Sequence, residues 1–264
     1  MIDMAVRLAR EAGGLLLDFF HRRLPLRVRF KGDLSNVLTE ADLASEALIR
    51  REIRHAFPGH AVMAEEAGYA PGAASTTWIV DPLDGTSNFA AGLPWFGVLL
   101  AVLERNEPTL AVLHLPASGE TYHAVRGGGA FHNGRPVRVS GLREPARSLW
   151  ACAMDAPRHA RDARTKAFVM AELLKKVRGV RTTNSLVDAA FTADGRLGGW
   201  INLDTRIWDI AAPSLIIREA GGRFTDRSGA DVEFDLSSEG ADRVYEIVAG
   251  ARAQHEQIVR VVQG

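Results

Sequence analysis

One stretch of this sequence decides the fold, Trp78-Ile79-Val80-Asp81-Pro82-Leu83-Asp84-Gly85-Thr86-Ser87-Asn88-Phe89. An apolar run ends at Asp81, a proline turns the chain, and Asp84 follows three residues later, so the two carboxylates can converge on one point. Two carboxylates held close together repel each other unless a proton or a cation lies between them. Because hard oxygen ligands favour Mg²⁺, Mn²⁺ or Ca²⁺ over Zn²⁺, the spacing predicts a magnesium site.

The residues around this pair extend the predicted site. Gly85 and Thr86 come where a helix is predicted to begin, and the free backbone N–H groups at a helix start can bind a phosphate oxygen. Glu65-Glu66 follows another apolar run, Ala61–Ala64, so a second strand also ends in acid. The alternative interpretations are a surface turn for Asp81–Thr86, made of the usual turn formers, and a solvated pair for the two glutamates.

The patterns on either side predict an α/β fold, with α and β elements in layers (α+β). Two helices precede the quoted stretch, and the second begins at a capping-box pattern of Thr39 and Asp42. Short strands with turn residues between them then predict a mainly antiparallel sheet. We expect one compact unit of two halves: residues 1–145 with the first helices, this sheet and most metal ligands, and residues 146–264 with alternating helices and strands.

The amino-acid composition excludes some classes of partner and of binding site. Lysine plus arginine total 32 and aspartate plus glutamate total 32, so no overall positive charge favours a nucleic-acid partner. The single cysteine, Cys152, excludes an internal disulfide, and the eight histidines have no metal-ligand spacing. We see no signal peptide or membrane-spanning segment, and we therefore expect a cytoplasmic protein without a membrane partner.

These motifs resemble those of the inositol monophosphatase family. Its first signature, Asp-Pro-(Ile/Leu)-Asp-Gly-Thr-x-Asn-(Phe/Tyr), is matched throughout by Asp81–Phe89. Its second, Trp-Asp-x-Ala-Ala-Gly with a later Glu-Ala-Gly-Gly, is similar to Trp208–Pro213 and Glu219–Gly222, except that proline replaces the glycine of the first part. The resemblance also takes in Ala64–Glu66. It implies an alternating α-β-α-β-α sandwich that assembles as a homodimer.

The resemblance also implies roles for individual residues. Two or three Mg²⁺ ions would be held by Glu65, Asp81, the Leu83 carbonyl, Asp84 and Asp209, with Asp81 bridging two of them. Glu65 and Thr86 would orient the water that attacks phosphorus, with no covalent intermediate, and Gly85 would join Thr86 in binding the phosphate. Two further residues would support the site from behind. They are Lys31 and Asp42, for which a solvated lysine and a helix-start acid are the alternatives.

Substrate residues follow the family pattern less closely. Where members that act on inositol phosphates have a glutamate seven residues before the last metal aspartate, this sequence has Asn202. A Gly-(Ser/Thr)-Ala segment near the substrate corresponds to Asn184-Ser185-Leu186. Because an amide both donates and accepts hydrogen bonds, the pattern of hydroxyls recognised should differ. We expect Asn202 and Leu186 to face the alcohol half of the ester.

The predicted function is therefore Mg²⁺-dependent hydrolysis of a small phosphate monoester, with inositol monophosphate or a related polyol or sugar phosphate as the first candidate. Histidinol phosphate and a 3′-phosphorylated nucleotide are the alternatives within the family, and inhibition by lithium is implied by the resemblance alone. A different class of function is a regulatory protein of this fold that acts on the RNA polymerase machinery. The complete set of predicted ligands favours the enzyme.

Overall fold

The computed structural model of the protein describes residues 1–22, 27–30, 37–156, 160–237 and 239–263, with the backbone alone at residues 29, 30, 37, 160 and 161. The helices are Ile2–Phe20 (α1), Glu40–Ala56 (α2), Thr86–Ala90 (α3), Ala160–Leu174 (α4), Leu186–Ala193 (α5), Ile207–Glu219 (α6) and Arg252–Gln263 (α7). The strands are Val28–Phe30 (β1), Val37–Thr39 (β2), Ala61–Ala64 (β3), Gly68–Ala70 (β4), Thr76–Asp84 (β5), Gly97–Glu104 (β6), Glu107–Leu115 (β7), Glu120–Val125 (β8), Ala130–His132 (β9), Arg135–Pro136 (β10), Leu149–Cys152 (β11), Gly179–Arg181 (β12), Gly199–Thr205 (β13), Arg223–Asp226 (β14) and Tyr245–Gly250 (β15).

The strands form one large sheet, one smaller sheet and a two-stranded ribbon. The large sheet has eight strands in the order β10-β9-β8-β7-β6-β5-β3-β4, and only its β3–β5 pair is parallel. The smaller sheet has the order β12-β11-β13-β15-β14, with β11 parallel to both of its neighbours. The mainly antiparallel sheet predicted for the first half is therefore confirmed.

Five layers result from how the helices pack on these sheets. Helices α1 and α2 cover one face of the eight-stranded sheet, and α6 packs on the other. Helices α5 and α6 lie between the two sheets, while α4 and α7 contact each other and the outer side of the smaller sheet. The order α-β-α-β-α is the predicted sandwich.

Three apolar cores hold these layers together. The first lies between α1, α2 and the large sheet, where the α1 residues Ala5, Leu8, Ala12 and Leu16 are almost fully buried at helical spacing. The second lies between the smaller sheet and helices α4 and α7. The third joins the two sheets through α5 and α6, and it includes both Leu113 and Ile216. Because this core crosses the predicted division at residues 145 and 146, the two halves bury their apolar surface against each other.

Helix α6 starts earlier than the sequence indicates. The apolar pattern predicts a helix over Ile210–Ala220, and a start near Trp208 or Asp209 would put Pro213 close to the end of the first turn. The helix begins at Ile207, so Pro213 is its seventh residue and lies inside it. The hydrogen bond lost there is the one to the Asp209 carbonyl, four residues back, because proline has no N–H.

Candidate metal centre and active site

An irregularity in β5 brings the first two carboxylates together. In the pairing with β6, Asp81 lies opposite Leu99 and Asp84 opposite Gly97, so three steps along β5 match two along β6. Side chains three residues apart in a regular strand point to opposite faces of the sheet, and one extra residue reverses that relation. Asp81 and Asp84 therefore reach the same side, as the Asp-Pro-Leu-Asp spacing predicted.

The third carboxylate comes from the start of α6. Asp209 Oδ2 accepts hydrogen bonds from the Thr205 hydroxyl at 2.7 Å and from the Arg206 backbone N–H at 2.8 Å. These bonds leave the other oxygen to face the β5 carboxylates. Asp81, Asp84 and Asp209 each place a carboxylate oxygen within 4.8 Å of the others.

The electrostatics of this group match a cation site. Burial raises the pKa of Asp81 well above its usual range, and the charges of Glu65, Asp84 and Asp209 raise it further. Burial likewise raises the pKa of Asp84 well above normal, and Asp209 adds to the effect. Several converging acids with these pKa values favour either bound protons or bound cations, and a set of hard oxygen donors fits Mg²⁺.

The backbones of Glu65 and Leu83 are tied to the strand end that carries Asp81. The Glu65 backbone N–H donates to the Val80 carbonyl at 3.2 Å, which ties the end of β3 to the strand that ends in Asp81. The Leu83 N–H donates to Asp81 Oδ1 at 3.1 Å, so this turn is bent around its own aspartate. The structure thus brings together the carboxylates of Asp81, Asp84 and Asp209, and the charge of Glu65 acts on Asp81, while the roles of Glu65 and the Leu83 carbonyl as metal ligands stay predictions.

Thr86 and Asp42 form a hydrogen-bonded pair beside this group. The Thr86 hydroxyl lies 3.0 Å from Asp42 Oδ1 and 2.9 Å from the Leu83 carbonyl, and its single hydrogen can be donated to only one of them at a time. Asp42 is fully buried, and its Oδ2 accepts from the Thr39 N–H at 2.8 Å in the predicted capping box. Gly85, with φ of 81°, precedes the short helix α3.

The whole chain, residues 1–264, matches the model of the inositol monophosphatase family. The protein belongs to this family. An inositol-1-monophosphatase of Mesorhizobium japonicum is 34% identical over 266 residues, covering 100% of this chain and 96% of the relative. A protein of Haemophilus influenzae named Nus factor SuhB is 36% identical over 227 residues, covering 86% of this chain and 85% of the relative.

The fold of the family is equally clear in solved structures. The extragenic suppressor protein suhB of Bartonella henselae superposes with a TM-score of 0.89 at 31% identity, covering 99% of this chain and 97% of that one. The inositol monophosphatase family is one of metal-binding phosphatases, and the carboxylate group described above is consistent with that class. Because its relatives include a protein named as a Nus factor, the expectation of no nucleic-acid partner gains no support.

The residues expected to contact the alcohol half of the ester are arranged differently from the expectation. Leu186 is 1% exposed and belongs to the core between the sheets, so its side chain offers no apolar surface to a substrate. Only its backbone N–H reaches the site, where it donates to Asp84 Oδ1 at 2.6 Å. Ser185 caps α5 and accepts from the Val187 N–H at 3.3 Å, and Asn202 Oδ1 accepts from the Asp204 N–H at 3.1 Å.

Lys31 lies outside the described residues, so its predicted role stays a prediction. Three polar residues near the centre were missed: Asp155, Lys166 and Asp188. Asp155 ends the apolar run that contains β11, three residues after the strand, so the rule that singled out Glu65 and Asp81, an acid after an apolar run, could have found it. The other two lie within helices, where nothing in the local pattern sets them apart.

A second group of acids does not resemble a metal site. Oxygens of Glu120 and Asp194 and a ring nitrogen of His132 lie within 4.8 Å of one another. The Arg196 guanidinium, however, contacts Glu120 at 2.8 Å and Asp194 at 2.6 Å, so a cation already occupies this position. Along the described part of the chain, the helices are all too short or too polar to cross a membrane.

Proposed function

We propose that this protein hydrolyses small phosphate monoesters in a Mg²⁺-dependent reaction. The observation that carries the proposal is the convergence of carboxylate oxygens of Asp81, Asp84 and Asp209 to within 4.8 Å, with all three pKa values raised by burial and those of Asp81 and Asp84 raised further by neighbouring carboxylates. Glu65 and the Leu83 carbonyl complete the proposed ligand set. Bound Mg²⁺ would offset the carboxylate charges and stabilise negative charge on the phosphoryl and leaving-group oxygens.

The side chains of the protein position the other reactants. When the Thr86 hydroxyl donates its hydrogen to Asp42, its oxygen keeps two lone pairs, and one of these can accept a hydrogen bond from the attacking water. Glu65 would accept from the same water, which fixes the direction of attack on phosphorus. Asp42 acts through Thr86 and is a positioning residue in this proposal. Gly85 would leave room for the phosphate beside Thr86.

Inositol monophosphate or a related polyol or sugar phosphate is the substrate class that we propose. A relative of 34% identity bears the name inositol-1-monophosphatase, and this supports the choice. Histidinol phosphate and 3′-phosphorylated nucleotides are the alternatives that the sequence left open. Asn184 and Asn202 would lie beside the alcohol half. The family resemblance also supports a homodimer with two or three ions in each subunit, sensitivity to lithium, and a role for Lys31 near the phosphate.

The direct test is an activity assay of the purified protein on inositol 1-phosphate, glycerol 2-phosphate and p-nitrophenyl phosphate. We expect turnover with Mg²⁺, none with excess chelator, and inhibition by Ca²⁺, which is larger and less demanding of octahedral geometry. The variant Asp231→Asn is a matched control, because its carboxylate is exposed and lies outside the centre. Full turnover in chelator, with no metal in the protein, would contradict the mechanism.

The second candidate is a binding protein of the transcription machinery, and the observation in its favour is the relative named Nus factor SuhB. The two functions separate in one comparison, because Asp84→Asn should abolish phosphatase activity but leave an independent binding surface intact. A protein without activity on any ester that still restores the role of a SuhB relative would establish the second candidate.

A further inference from the structure

The smaller sheet places an unassigned carboxylate at the rim of the active site. Strand β11 runs parallel to β13, with Cys152 opposite Ile201, and the Ala153 N–H donates to the Ile201 carbonyl at 2.9 Å. Parallel neighbours end at the same edge of a sheet. The loop after β11, which carries Asp155, therefore leaves the sheet beside the segment that leads from β13 to Asp209.

Asn184 fixes the position of the Asp155 carboxylate. Its Nδ2 donates to Asp155 Oδ1 at 2.8 Å, and its own Oδ1 accepts from the Met154 N–H at 2.9 Å. Asn184 stands two residues before Leu186, whose N–H donates to Asp84 Oδ1. Asp155 and Asp84 are therefore bound to the two ends of one short segment, which spans at most roughly 7 Å.

Asp155 and Asp204 share the buried cation Lys166 in different ways. Lys166, 4% exposed, lies 3.8 Å from Asp204 Oδ2 and donates to the Asp155 backbone carbonyl at 3.1 Å. The residue as a whole is exposed, and Asn184 is the side chain that hydrogen-bonds its carboxylate. Removal of the Asp155 carboxyl group from solvent by the surrounding protein raises its pKa. Lys166 and Asn184 lower that pKa because they favour the charged form.

The field of this carboxylate reaches the proposed metal ligands. Burial and the charge of Asp209 are the main causes of the raised pKa of Asp84, and Asp155 adds to them. Burial also raises the pKa of Asp209, and Asp155 again contributes. Asp155 therefore acts electrostatically on the volume between itself and the metal centre.

We propose that Asp155 is a specificity-determining residue that selects the charge of the alcohol half of the ester, favouring an ammonium group and disfavouring a second anionic group. This inference rests on the proposed phosphatase function. Two divalent ions would offset the four carboxylates that would hold them, whereas the nearest described cation to Asp155, Lys166, forms its ion pair with Asp204. Opposite charges a few ångströms apart at a protein surface attract by enough to change kcat/KM about tenfold.

The test uses three phosphate esters of equal chain length: 4-aminobutyl, 4-hydroxybutyl and 3-carboxypropyl phosphate. The wild-type protein should hydrolyse them with kcat/KM decreasing in that order. In Asp155→Asn, the ratio of the amino ester to the carboxy ester should fall about tenfold, while the hydroxy ester changes less than about threefold. Asp155→Glu keeps the charge and should keep the order.

The variant Glu172→Gln is the matched control, because it removes one negative charge from α4 where Glu172 pairs with Lys175, away from the site. It should leave the ratio unchanged. A ratio unchanged in Asp155→Asn, or an equal loss on all three esters, would overturn the inference by showing no role or a merely structural one. Hydrolysis of p-nitrophenyl phosphate but of none of the three esters would overturn the inference alone, whereas no hydrolysis of any ester would overturn the proposed function with it.

Discussion

Asp84 connects two parts of the active site that are far apart in sequence. Its carboxylate stands among the proposed metal ligands, and its Oδ1 accepts the Leu186 N–H at the start of α5. The same side chain thus serves the proposed metal centre and holds the segment that carries Asn184. A substitution of Asp84 tests the proposed metal ligand only if it keeps the hydrogen bond to the Leu186 N–H.

Asp84→Asn makes that separation, because an amide oxygen can still accept the Leu186 N–H while the negative charge is lost. We expect turnover to fall by several orders of magnitude, since the proposed mechanism loses a ligand of the leaving-group cation. The metal-free protein should be at least as stable as the wild type, because one buried repelling charge is gone. Steady-state kinetics with Mg²⁺ and urea unfolding in chelator measure the two effects. A rate above roughly a tenth of wild type, a loss of only about 1.4 kcal/mol in transition-state stabilisation, would contradict the assignment.

Asn202→Glu tests the substrate assignment. If Asn202 faces the alcohol half, the added carboxylate should strengthen hydrogen bonds to polyol hydroxyls, which are usually worth about 1.5–3 kcal/mol for a charged partner. We expect the ratio of kcat/KM for inositol 1-phosphate to that for glycerol 2-phosphate to be low in the wild type and to rise in the variant. Asn202→Gln is the uncharged control of the same length. A high ratio in the wild type, or one that the variant leaves unchanged, would show that Asn202 does not contact the substrate.

At the scale of single elements, the start of α2 supports the active site from behind. Thr39 caps the helix by accepting the Ala41 N–H at 3.2 Å, and its hydroxyl donates to Asp42 Oδ2 at 2.6 Å. Asp42 in turn contacts the Thr86 hydroxyl through Oδ1. One helix cap therefore determines the orientation of a proposed positioning residue.

Thr39→Ala should lower the free energy of unfolding by about 1–2 kcal/mol, because it removes an N-cap in a buried position. Thr39→Ser keeps the hydroxyl and should recover most of the loss. Asp42 would be less constrained in the alanine variant, so kcat should fall more than KM rises. Urea unfolding and steady-state kinetics on all three proteins measure these changes. An alanine variant with wild-type stability and kcat would show that the cap contributes to neither.

The elements differ in how far the sequence predicts them. The capping box, the helix boundaries near it and the Asp81–Asp84 turn depend on residues within a few positions, so their local patterns were sufficient. The orientation of Leu186 depends on the packing of α5 between two sheets, and the position of Asp155 depends on the pairing of β11 with β13. Such long-range contacts leave no periodic signal in a single sequence.

At the scale of the whole molecule, buried histidines make stability depend on pH. His114 lies in β7 against α1, where its ring occupies the space that a side chain at Gly13 would fill. Burial, together with the charge of the nearby Arg10, lowers the pKa of His114 to about 4, although a hydrogen bond to the Glu120 carbonyl opposes this. The folded protein therefore keeps this ring neutral at pH values where the unfolded chain protonates it.

Between pH 6.5 and about 4 the unfolded state binds a proton at His114 that the folded state does not. Stability is therefore fully present above the unfolded pKa and falls as the pH is lowered, by up to about 3 kcal/mol for this residue. The measurement is urea unfolding at several pH values for wild type and His114→Gln. Subtracting the free energy of unfolding of the variant from that of the wild type at each pH cancels the contribution of the carboxylates, which both proteins share. A difference that stays constant from pH 7 to pH 4 would show that His114 titrates normally.

The extra residue in β5 also bears on which changes of chain length the protein can tolerate. Asp81 pairs with Leu99 of β6 and Asp84 pairs with Gly97. Whether the two carboxylates share one side of the sheet depends on how many β5 residues lie between these two pairs. Many substitutions at Pro82 or Leu83 would leave that count alone, whereas inserting or deleting a single residue would turn one carboxylate away. This segment should therefore tolerate amino-acid substitutions far more readily than insertions or deletions, whereas surface loops often tolerate changes of length.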